Sequence, residues 1–406
     1  MANKITKQPE IRFKEFNNDW EQRKLGEIGK TQSGIGFPDK EQGGTEGIPF
    51  FKVSDMNNQG NENEMLTANN YVSKEQIERK KWKPIEDVPA IMFAKVGAAI
   101  MLNRKRIVRS SFLLDNNTMA YIFDNSWNAN FGKTMFETIN LPKYAQVGAL
   151  PSYNSSDIEN INIIIPNKEE QEKIGTFFKN LDDTIALQNC KLEEMQLYKK
   201  AMLQKMFPKN GEKAPEIRFD GYNDDWEQRK ASDIFVSVSE KNNPDLPVLS
   251  ASQEKGMILR DTIGIDIKYD KKSLNTYKKV SPGQFVIHLR SFQGGFAYSK
   301  IEGITSPAYT VIDFKNKDTF CPTFWRAVLT STTFIKKLET VTYGIRDGRS
   351  ISFTDFSSLK FNVPKYNEQK KIGDFLTALD DTIALQNNKL NKLKEMKKAL
   401  LQKMFV

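Results

Sequence analysis

Two long stretches of the sequence place apolar residues alternately three and four positions apart, the period of helices that pack along a seam. Such a period predicts two helices of about 36 residues, each spanning roughly 54 Å at 1.5 Å per residue. The predicted seam positions are Ile174, Phe178, Leu181, Ile185, Gln188, Leu192, Met195, Lys199, Met202 and Met206 in the first helix, and Ile372, Leu376, Leu379, Ile383, Gln386, Leu390, Leu393, Lys397, Leu400 and Met404 in the second.

The seam carries the same polar interruptions in both helices, Gln188 with Lys199 and Gln386 with Lys397. Isolated polar seam residues cost stability and commonly specify register or partner. Because a lone helix of this length would expose its apolar stripe, the two helices are expected to pack on each other. The alternative is that each stripe packs only on its own domain.

The helices belong to a larger duplication. An arm at residues 9–24, with Pro-Glu-Ile-Arg-Phe and Asp-Trp-Glu-Gln-Arg-Lys, returns at 215–230, and residues 170–207 return at 368–405. The stretches between these constant parts differ strongly. A constant frame with two variable inserts predicts one scaffold that presents two different recognition surfaces.

The duplication also closes in a circle, because the arm that would follow the second helix is found at the N-terminal end, at residues 9–24. We therefore expect this arm to pack beside the C-terminal helix. Antiparallel helices would place one insert at each end of the rod, related by a pseudo-two-fold axis. Duplex DNA has local dyads that dimeric proteins match with paired half-sites.

The inserts combine short β-branched and aromatic runs with Gly and Asn turns, a pattern typical of strands. The predicted fold class is α/β (α+β), with two similar globular domains joined by two long antiparallel coiled-coil helices. Predicted strands lie at 48–53, 91–96, 118–123, 161–166, 284–289, 308–312 and 359–364, and shorter helices at 130–139 and 322–338. The predicted segments are an N-terminal arm (1–24), domain 1 (25–166), helix 1 (167–207), linker and arm (208–230), domain 2 (231–364) and helix 2 (365–406).

Charge adds a functional indication. The chain carries 60 Lys and Arg against 51 Asp and Glu, a net charge of +9. Positive charge concentrates between Arg79 and Arg109 in the first insert and between Lys255 and Arg290 in the second. Such clusters suit a polyanion, because each neutralised phosphate releases counterions. Ordinary solvated surface lysines are the alternative.

Several classes of chemistry are disfavoured by composition. Cys190 and Cys321 are isolated and His288 is the single histidine, so disulfide frameworks, thiolate metal sites and paired-imidazole catalysis are not expected. The start of the chain lacks the apolar run of a signal peptide, and no apolar run is long enough to span a membrane. A soluble cytoplasmic protein without membrane partners is predicted.

Short segments match known catalytic and nucleotide-binding motifs only in part. Gly34-Ile35-Gly36 lacks the rest of a dinucleotide-binding turn, and Gly29-Lys30-Thr31 lacks the first glycine of a phosphate-binding loop. No Asn/Asp-Pro-Pro-Tyr/Phe motif for amino methylation is present. The paired acids Asp182-Asp183 and Asp380-Asp381 repeat within the heptads, so solvated or partner-facing helix positions are predicted for them in preference to metal binding.

The order of parts resembles the DNA specificity subunit of type I restriction-modification systems. The features that carry the resemblance are the Ile/Val-Pro strand, Glu-Gln-x-x-Ile-Gly and the long helix ending in Leu-Gln-Lys-Met-Phe, all present twice, with the paired Asp-Trp-Glu-Gln-Arg arms and Gly47-Ile48-Pro49-Phe50.

The resemblance implies that each insert is a target-recognition domain for one half of a bipartite site in double-stranded DNA. It implies that the helices set the gap and dock two methyltransferase subunits, with restriction and translocase subunits further out. This chain would then be non-catalytic. S-adenosylmethionine, ATP and Mg²⁺ would serve the adenine-N6 methyltransferase and endonuclease activities of the partner subunits.

Candidate DNA contacts follow from charge and loop position, with no catalytic or metal residues predicted. Arginine pairs with guanine and glutamine with adenine in the major groove, whereas lysines more often position a protein on phosphates. The candidates are Lys80, Lys81, Lys83, Lys95, Arg104, Lys105, Arg106, Ser152 and Tyr153 in the first insert, and Lys271, Lys272, Arg290, Ser291, Gln293, Tyr343, Arg346 and Arg349 in the second.

Two other functions remain open at this point. Asp245 with Asp266 and Lys268 fits a loose nuclease pattern, which would make the chain a self-contained Mg²⁺-dependent nuclease. Alternatively, the chain is a coiled-coil adaptor that binds proteins through both heads and has no preference for DNA.

Overall fold

The chain divides into two compact units in the computed structural model. Unit 1 comprises Met1–Cys190 with Asn388–Val406, and unit 2 comprises Lys191–Asn387. The structure describes residues 8–146, 148, 150–209, 211–252, 255–263, 271–287, 296–339 and 351–406. Among these residues, no helix is both long and apolar enough to cross a bilayer.

The elements of the first insert begin and end as follows. The strands are β1 Glu21–Lys24, β2 Gly29–Ser33, β3 Ile48–Phe51, β4 Tyr71–Val72, β5 Ala90–Ala94, β6 Lys105–Val108, β7 Leu113–Leu114, β8 Thr118–Phe123 and β9 Asn162–Ile165. The helices are α1 Lys74–Lys80, α2 Ala129–Thr138, α3 Ser155–Glu159 and the long α4 Lys168–Lys205, which contributes to both units.

Unit 1 is built around an antiparallel sheet in the order β2-β8-β5-β6. Strand β5 is buried along its whole length because both faces of the sheet are covered. Ile91 and Phe93 face one apolar cluster, while Ala90 and Met92 face another, as the two-residue period of a strand requires. This explains why β5 is a continuous apolar run and not an alternating pattern.

The elements of the second insert repeat this plan. The strands are β10 Glu227–Lys230, β11 Phe235–Val238, β12 Leu249–Ser252, β13 Gly256–Leu259, β14 Lys278–Val280, β15 Phe285–Ile287, β16 Ala297–Tyr298, β17 Gly303–Thr305, β18 Thr310–Phe314 and β19 Lys360–Val363. The helices are α5 Ala231–Ile234, α6 Pro322–Leu329, α7 Thr332–Glu339, α8 Phe353–Ser357 and the long α9 Tyr366–Met404.

The central sheet of unit 2 has the order β11-β18-β15-β16, which matches that of unit 1 strand for strand. Phe285 and Ile287 again face one cluster while Val286 faces a second. The two inserts are therefore divergent versions of one domain. The helix predicted at residues 322–338 is broken in two, because the Ser331 hydroxyl accepts from the Phe334 amide at 3.1 Å and caps a new helix.

The repeated arms join a head to both long helices. In unit 1, Arg12 donates to both carboxylate oxygens of Glu170 at 2.7 and 2.8 Å, and the Ile11 amide donates to the Lys403 carbonyl at 2.9 Å. In unit 2, Arg218 and Glu368 form the same two bonds at 2.6 and 2.8 Å. The prediction that the N-terminal arm packs beside the C-terminal helix is confirmed.

The same strand pairing closes each arm onto its head. Strand β1 pairs antiparallel with β9, and β10 pairs antiparallel with β19 in the same register, so that Glu21 faces Ile165 and Glu227 faces Val363. Each pairing places the arm tryptophan in the core, where Trp20 is 1% and Trp226 is 3% exposed. The arm is thus a structural part of each unit.

Within each unit the two long helices run antiparallel. In unit 1 the rings of Phe178 and Phe405 lie 5.9 Å apart, and further along α4 the Asp182 carboxylate contacts Lys397, earlier in α9. In unit 2, Asp380 of α9 contacts Lys199 of α4. Every predicted seam position is buried or half-buried, whereas the neighbouring Leu187 and Leu385 are 67% and 71% exposed.

Candidate nucleic-acid interface

The first basic surface lies just after α1 in unit 1. Ser73 caps this helix by accepting from the Gln76 amide, and Lys81 ends it in a left-handed conformation with φ 56°. Trp82 then packs edge-on against Phe50, with ring centroids 5.2 Å apart. Its neighbours Lys81 and Lys83 are exposed on either side of this half-buried tryptophan. The turn therefore holds two lysines in solvent on a rigid base.

Lys80 has a different environment from these two lysines. Its ammonium lies 3.2 Å from the Glu41 carboxylate, which also accepts from Arg79 at 2.6 Å. The pKa of Glu41 is lowered, first by its hydrogen bond with Gln76 and then by these cations. Lys80 is thus partly neutralised within the protein, and it is a weaker phosphate ligand than Lys81 or Lys83.

The second basic surface is formed by two loops at the far end of β5. The Tyr153 amide donates to the Lys95 carbonyl at 3.0 Å, and the Gly97 amide donates to the Pro151 carbonyl at 2.9 Å. These bonds bring the half-buried Lys95 and Ser152 together, as the short β-bridge between Val96 and Ser152 shows. Two of the predicted candidates, distant in sequence, thus share one surface.

The candidates between residues 79 and 109 do not form a single patch. Lys81 and Lys83 precede β5, whereas Lys95 and Arg104 follow it, and a strand advances roughly 3.3 Å per residue. Arg104 contacts Asn57 and Arg106 donates to the Asn61 carbonyl at 2.5 Å, so both guanidiniums are partly engaged by the protein. Unit 1 offers two separate basic surfaces at opposite ends of β5.

Two of the predicted DNA contacts are wrong, because the structure buries their side chains. Lys105 is 8% exposed and donates to the Ile139 carbonyl at 2.6 Å, since it lies on the inner face of β6. Tyr153 is 3% exposed, and burial raises its pKa to about 12. Neither side chain is available to DNA. Sequence alone could not separate Lys105 from Arg104 and Arg106, because alternation along a short edge strand decides which one points inward.

The burial of Lys105 predicts a pH dependence of stability. Burial lowers its pKa to about 8, which the Glu137 carboxylate partly offsets. Between pH 8 and the ordinary lysine pKa of about 10.4, the unfolded chain binds more protons, so stability rises with pH, by up to about 3 kcal/mol. Urea unfolding at pH 7.5 and 9.5 should show this rise for the wild type relative to Lys105→Met. An equal pH response of the two proteins would contradict the assignment.

The candidates of the second insert lie largely outside the described residues. This applies to Arg290, Ser291, Gln293, Tyr343, Arg346 and Arg349 and to the side chains of Lys271 and Lys272. His288, Asp266 and Lys268 also lie outside the described part of the chain, while Asp245 is exposed. Their assignment to DNA contact or to a nuclease site stays a prediction from sequence.

A ring of four charges in unit 1 was not predicted from sequence. Lys133 and Glu137 of α2, Asp182 of α4 and Lys397 of α9 form it, and each cation contacts both carboxylates. Lys397 lies 2.6 Å from each carboxylate, and all four side chains are at most 22% exposed. The predicted solvated or partner-facing position of Asp182 is wrong, because it is 8% exposed and paired inside the unit. The polar seam position shared by Lys397 and Lys199 was the available signal.

Unit 2 has the corresponding seam contact, and no second carboxylate joins it among the described residues of that unit. Asp380 accepts from Arg326 of α6 at 2.8 Å and also contacts Lys199 of α4. The Arg326 guanidinium lies over the Tyr298 ring at 5.9 Å. Among the described residues of either unit, no group of three or more acidic, histidine or cysteine side chains is arranged to hold a metal ion. Asp182 and Asp380 each form ion pairs with two cations of their own unit.

Comparison with known proteins shows what this arrangement resembles. A sequence profile described as "Type I restriction modification DNA specificity domain" matches residues 17–197 and again residues 223–395. A protein of Methanocaldococcus jannaschii, with the provisional name type I restriction enzyme MjaX specificity subunit, is 24% identical over 282 residues. That alignment covers 66% of this chain and 64% of the relative, just under two thirds of the relative's length.

Two solved structures share the fold. The crystal structure of the type I restriction-modification system S subunit from M. genitalium has a TM-score of 0.63 at 13% identity, covering 98% of this chain and 99% of that one. A structure described as showing complex assembly and conformational transition of the type I R-M system has a TM-score of 0.51 at 14% identity, covering 95% and 97%. At these identities the likeness establishes the fold alone.

Proposed function

Because this chain belongs to the type I restriction modification DNA specificity family, we propose that it is the sequence-specific DNA-binding subunit of a type I restriction-modification complex. Each insert recognises one half of a bipartite target in double-stranded DNA. The observation that carries this proposal is the duplication itself, with equivalent arm and helix contacts around two heads that share a sheet order and differ in sequence.

The proposal assigns chemistry to other subunits. Two methyltransferase subunits dock on the helices, and restriction and translocase subunits complete the complex in the cytoplasm. S-adenosylmethionine, ATP and Mg²⁺ act in those partners. Leu187 and Leu385 support a docking role, because the same repeat position exposes a leucine in both helices. Lys199 is unsuited to docking, because its ammonium is engaged by Asp380.

The basic surfaces of unit 1 supply the contacts that position DNA. Lys81 and Lys83 suit phosphate oxygens, since they are exposed lysines on a turn anchored by Trp82. Lys95 and Ser152 form a second contact region where two loops are joined by backbone bonds. Base recognition is assigned to the loops of each head, which differ between the inserts in sequence.

A salt titration tests this interface. The double variant Lys81→Ala/Lys83→Ala is expected to weaken duplex binding at all sequences and to lower the slope of log K against log salt by about 1 per lost phosphate contact. Fluorescence anisotropy with a labelled duplex measures this slope. Lys14→Ala/Lys389→Ala removes the same charge from exposed positions elsewhere and should leave the slope closer to wild type. Equal slopes for the two double variants would remove Lys81 and Lys83 from the interface.

The alternatives give different outcomes. A protein adaptor without DNA preference would show no salt-dependent duplex binding, and a self-contained nuclease would cleave DNA with Mg²⁺ in the absence of partners. Mapping methylated adenines after incubation with the methyltransferase partner completes the test. A single methylated adenine context without a second, separated half-site would contradict the two-headed assignment.

A further inference from the structure

The two units differ at one position of an otherwise equivalent charge arrangement. In unit 1, Glu137 closes a four-membered ring with Lys133, Asp182 and Lys397. In unit 2, Lys199 and Arg326 share the single carboxylate of Asp380. Unit 1 therefore balances two cations with two anions, whereas the corresponding group in unit 2 has two cations and one anion among the residues that the structure describes.

The backbone contacts establish which residues correspond. Gln171 accepts from the amide of Asn128, which caps α2, and Gln369 accepts from the amide of Cys321, which caps α6. Counting from these caps, Lys133 corresponds to Arg326. Glu137 then corresponds to Thr330. The carboxylate that closes the ring in unit 1 is thus replaced by a hydroxyl in unit 2.

Thr330 lies at the wall of a pocket in unit 2. The cavity has a volume of about 450 Å³, and its walls include Leu203, Phe296, Ala327 and Leu376, with Ser252, Thr323 and Thr377 as polar groups. Four cations line it, namely Lys199, Lys255, Lys300 and Arg326, against the carboxylate of Asp380 among the described lining residues. Lys300 also lies 3.8 Å from Asp381, which is largely exposed.

We propose that this pocket of unit 2 binds a phosphate group at the position equivalent to that of the Glu137 carboxylate in unit 1. The phosphate oxygens bridge Lys199 and Arg326 on the side of Thr330, and they complete the ring that Asp380 leaves open. Lys255 and Lys300 extend the positive lining toward further phosphate oxygens. Arginine suits this role because its planar donors bind phosphate in a bidentate manner, and the Tyr298 ring beneath Arg326 orients the guanidinium.

The phosphate belongs either to a small phosphorylated compound or to the backbone of bound nucleic acid. Both sources present the same tetrahedral anion to the same two cations. A volume of about 450 Å³ is within the usual range of small-ligand pockets. The proposal goes beyond DNA recognition by the head loops, and its first test does not involve DNA.

The test restores the missing carboxylate. In Thr330→Glu the new side chain lies one helical turn after Arg326, as Glu137 does after Lys133, and occupies the anion position from within. Thr330→Gln is the matched control, with nearly the same shape and no charge. Pyrophosphate binding to the full-length chain is measured by isothermal titration calorimetry at constant ionic strength, with chloride replacing the ligand in the blank.

Wild type and Thr330→Gln are expected to bind pyrophosphate, and Thr330→Glu is expected to bind it at least about tenfold more weakly, the effect of one charge-assisted contact. Equal affinity of Thr330→Glu and Thr330→Gln for pyrophosphate would overturn the proposal. It would also be overturned if the wild type did not bind pyrophosphate at millimolar concentration and the two variants bound the duplex identically. Failure of DNA binding in every protein would instead count against the proposed function.

Duplex binding then distinguishes the two sources. If Thr330→Glu binds a duplex more weakly than Thr330→Gln and with a smaller salt slope, the phosphate is part of nucleic acid. If the two variants bind the duplex equally while only Thr330→Glu loses pyrophosphate, the ligand is a free phosphorylated compound. Either result supports the phosphate site.

Discussion

Replacing Phe405 with alanine is expected to destabilise unit 1 by about 3–5 kcal/mol, the usual cost of removing a buried phenylalanine. The side chain is 8% exposed and lies 5.6 Å from the Phe131 ring and 6.2 Å from the Trp20 ring. The change is at the C-terminal end of the chain, yet its effect should appear in the N-terminal head. Hydrogen exchange of α2 amides measures it directly.

Phe207→Ala is the matched variant for unit 2. Phe207 occupies the same repeat position and lies 5.6 Å from Phe324 and 6.1 Å from Trp226. Its replacement should accelerate exchange in α6 and leave α2 protected. The exposed Leu385→Ala on α9 should change either unit by no more than about 0.5 kcal/mol. If Phe405→Ala and Phe207→Ala both accelerated hydrogen exchange in the same helix, the division of the long helices between the two units would be contradicted.

Replacing Lys397 with methionine is expected to cost unit 1 about 3 kcal/mol, because Glu137 and Asp182 would then share only Lys133 in a largely buried position. Burial alone lowers the pKa of Lys397, but the two carboxylates outweigh it and raise the pKa above the ordinary value. The stabilisation is therefore fully present below the unfolded pKa of about 10.4 and is lost only as the pH rises through the higher folded value.

The control for Lys397→Met is Lys389→Met, an exposed lysine of the same helix. Urea unfolding followed by tryptophan fluorescence at pH 7.5 compares the two. Adding Glu137→Gln to Lys397→Met should cost less than the sum of the single changes, because it removes one of the carboxylates left without a partner. Strict additivity would show that the ring does not act as a unit.

Much of this architecture could be predicted because repetition and periodicity determine it. The predicted heptad positions from Ile174 to Met206 are all buried or half-buried, and the strand predicted at residues 118–123 has those bounds as β8. The arm contacts followed from the circular order of the repeat. These features depend on local pattern and on which segments recur, both visible in one sequence.

The site was less predictable because it depends on where side chains point. Lys105 and Arg104 are neighbours in sequence, but only Lys105 lies inside the sheet. The ring of Lys133, Glu137, Asp182 and Lys397 joins α2, α4 and α9, so no local pattern reveals it. The correspondence between Glu137 and Thr330 can be recognised only after the two heads are aligned on the equivalent cap residues Asn128 and Cys321.

The division of the long helices also orders the events of biosynthesis. All segments of unit 2 lie within Lys191–Asn387, so this unit is complete once that stretch has left the ribosome. Unit 1 waits for Asn388–Val406, which is translated after unit 2, and until then the apolar stripe at Ile174 and Phe178 lacks its covering partner. The nascent chain should therefore finish its second head before its first, with the first head depending on chaperones in the interval.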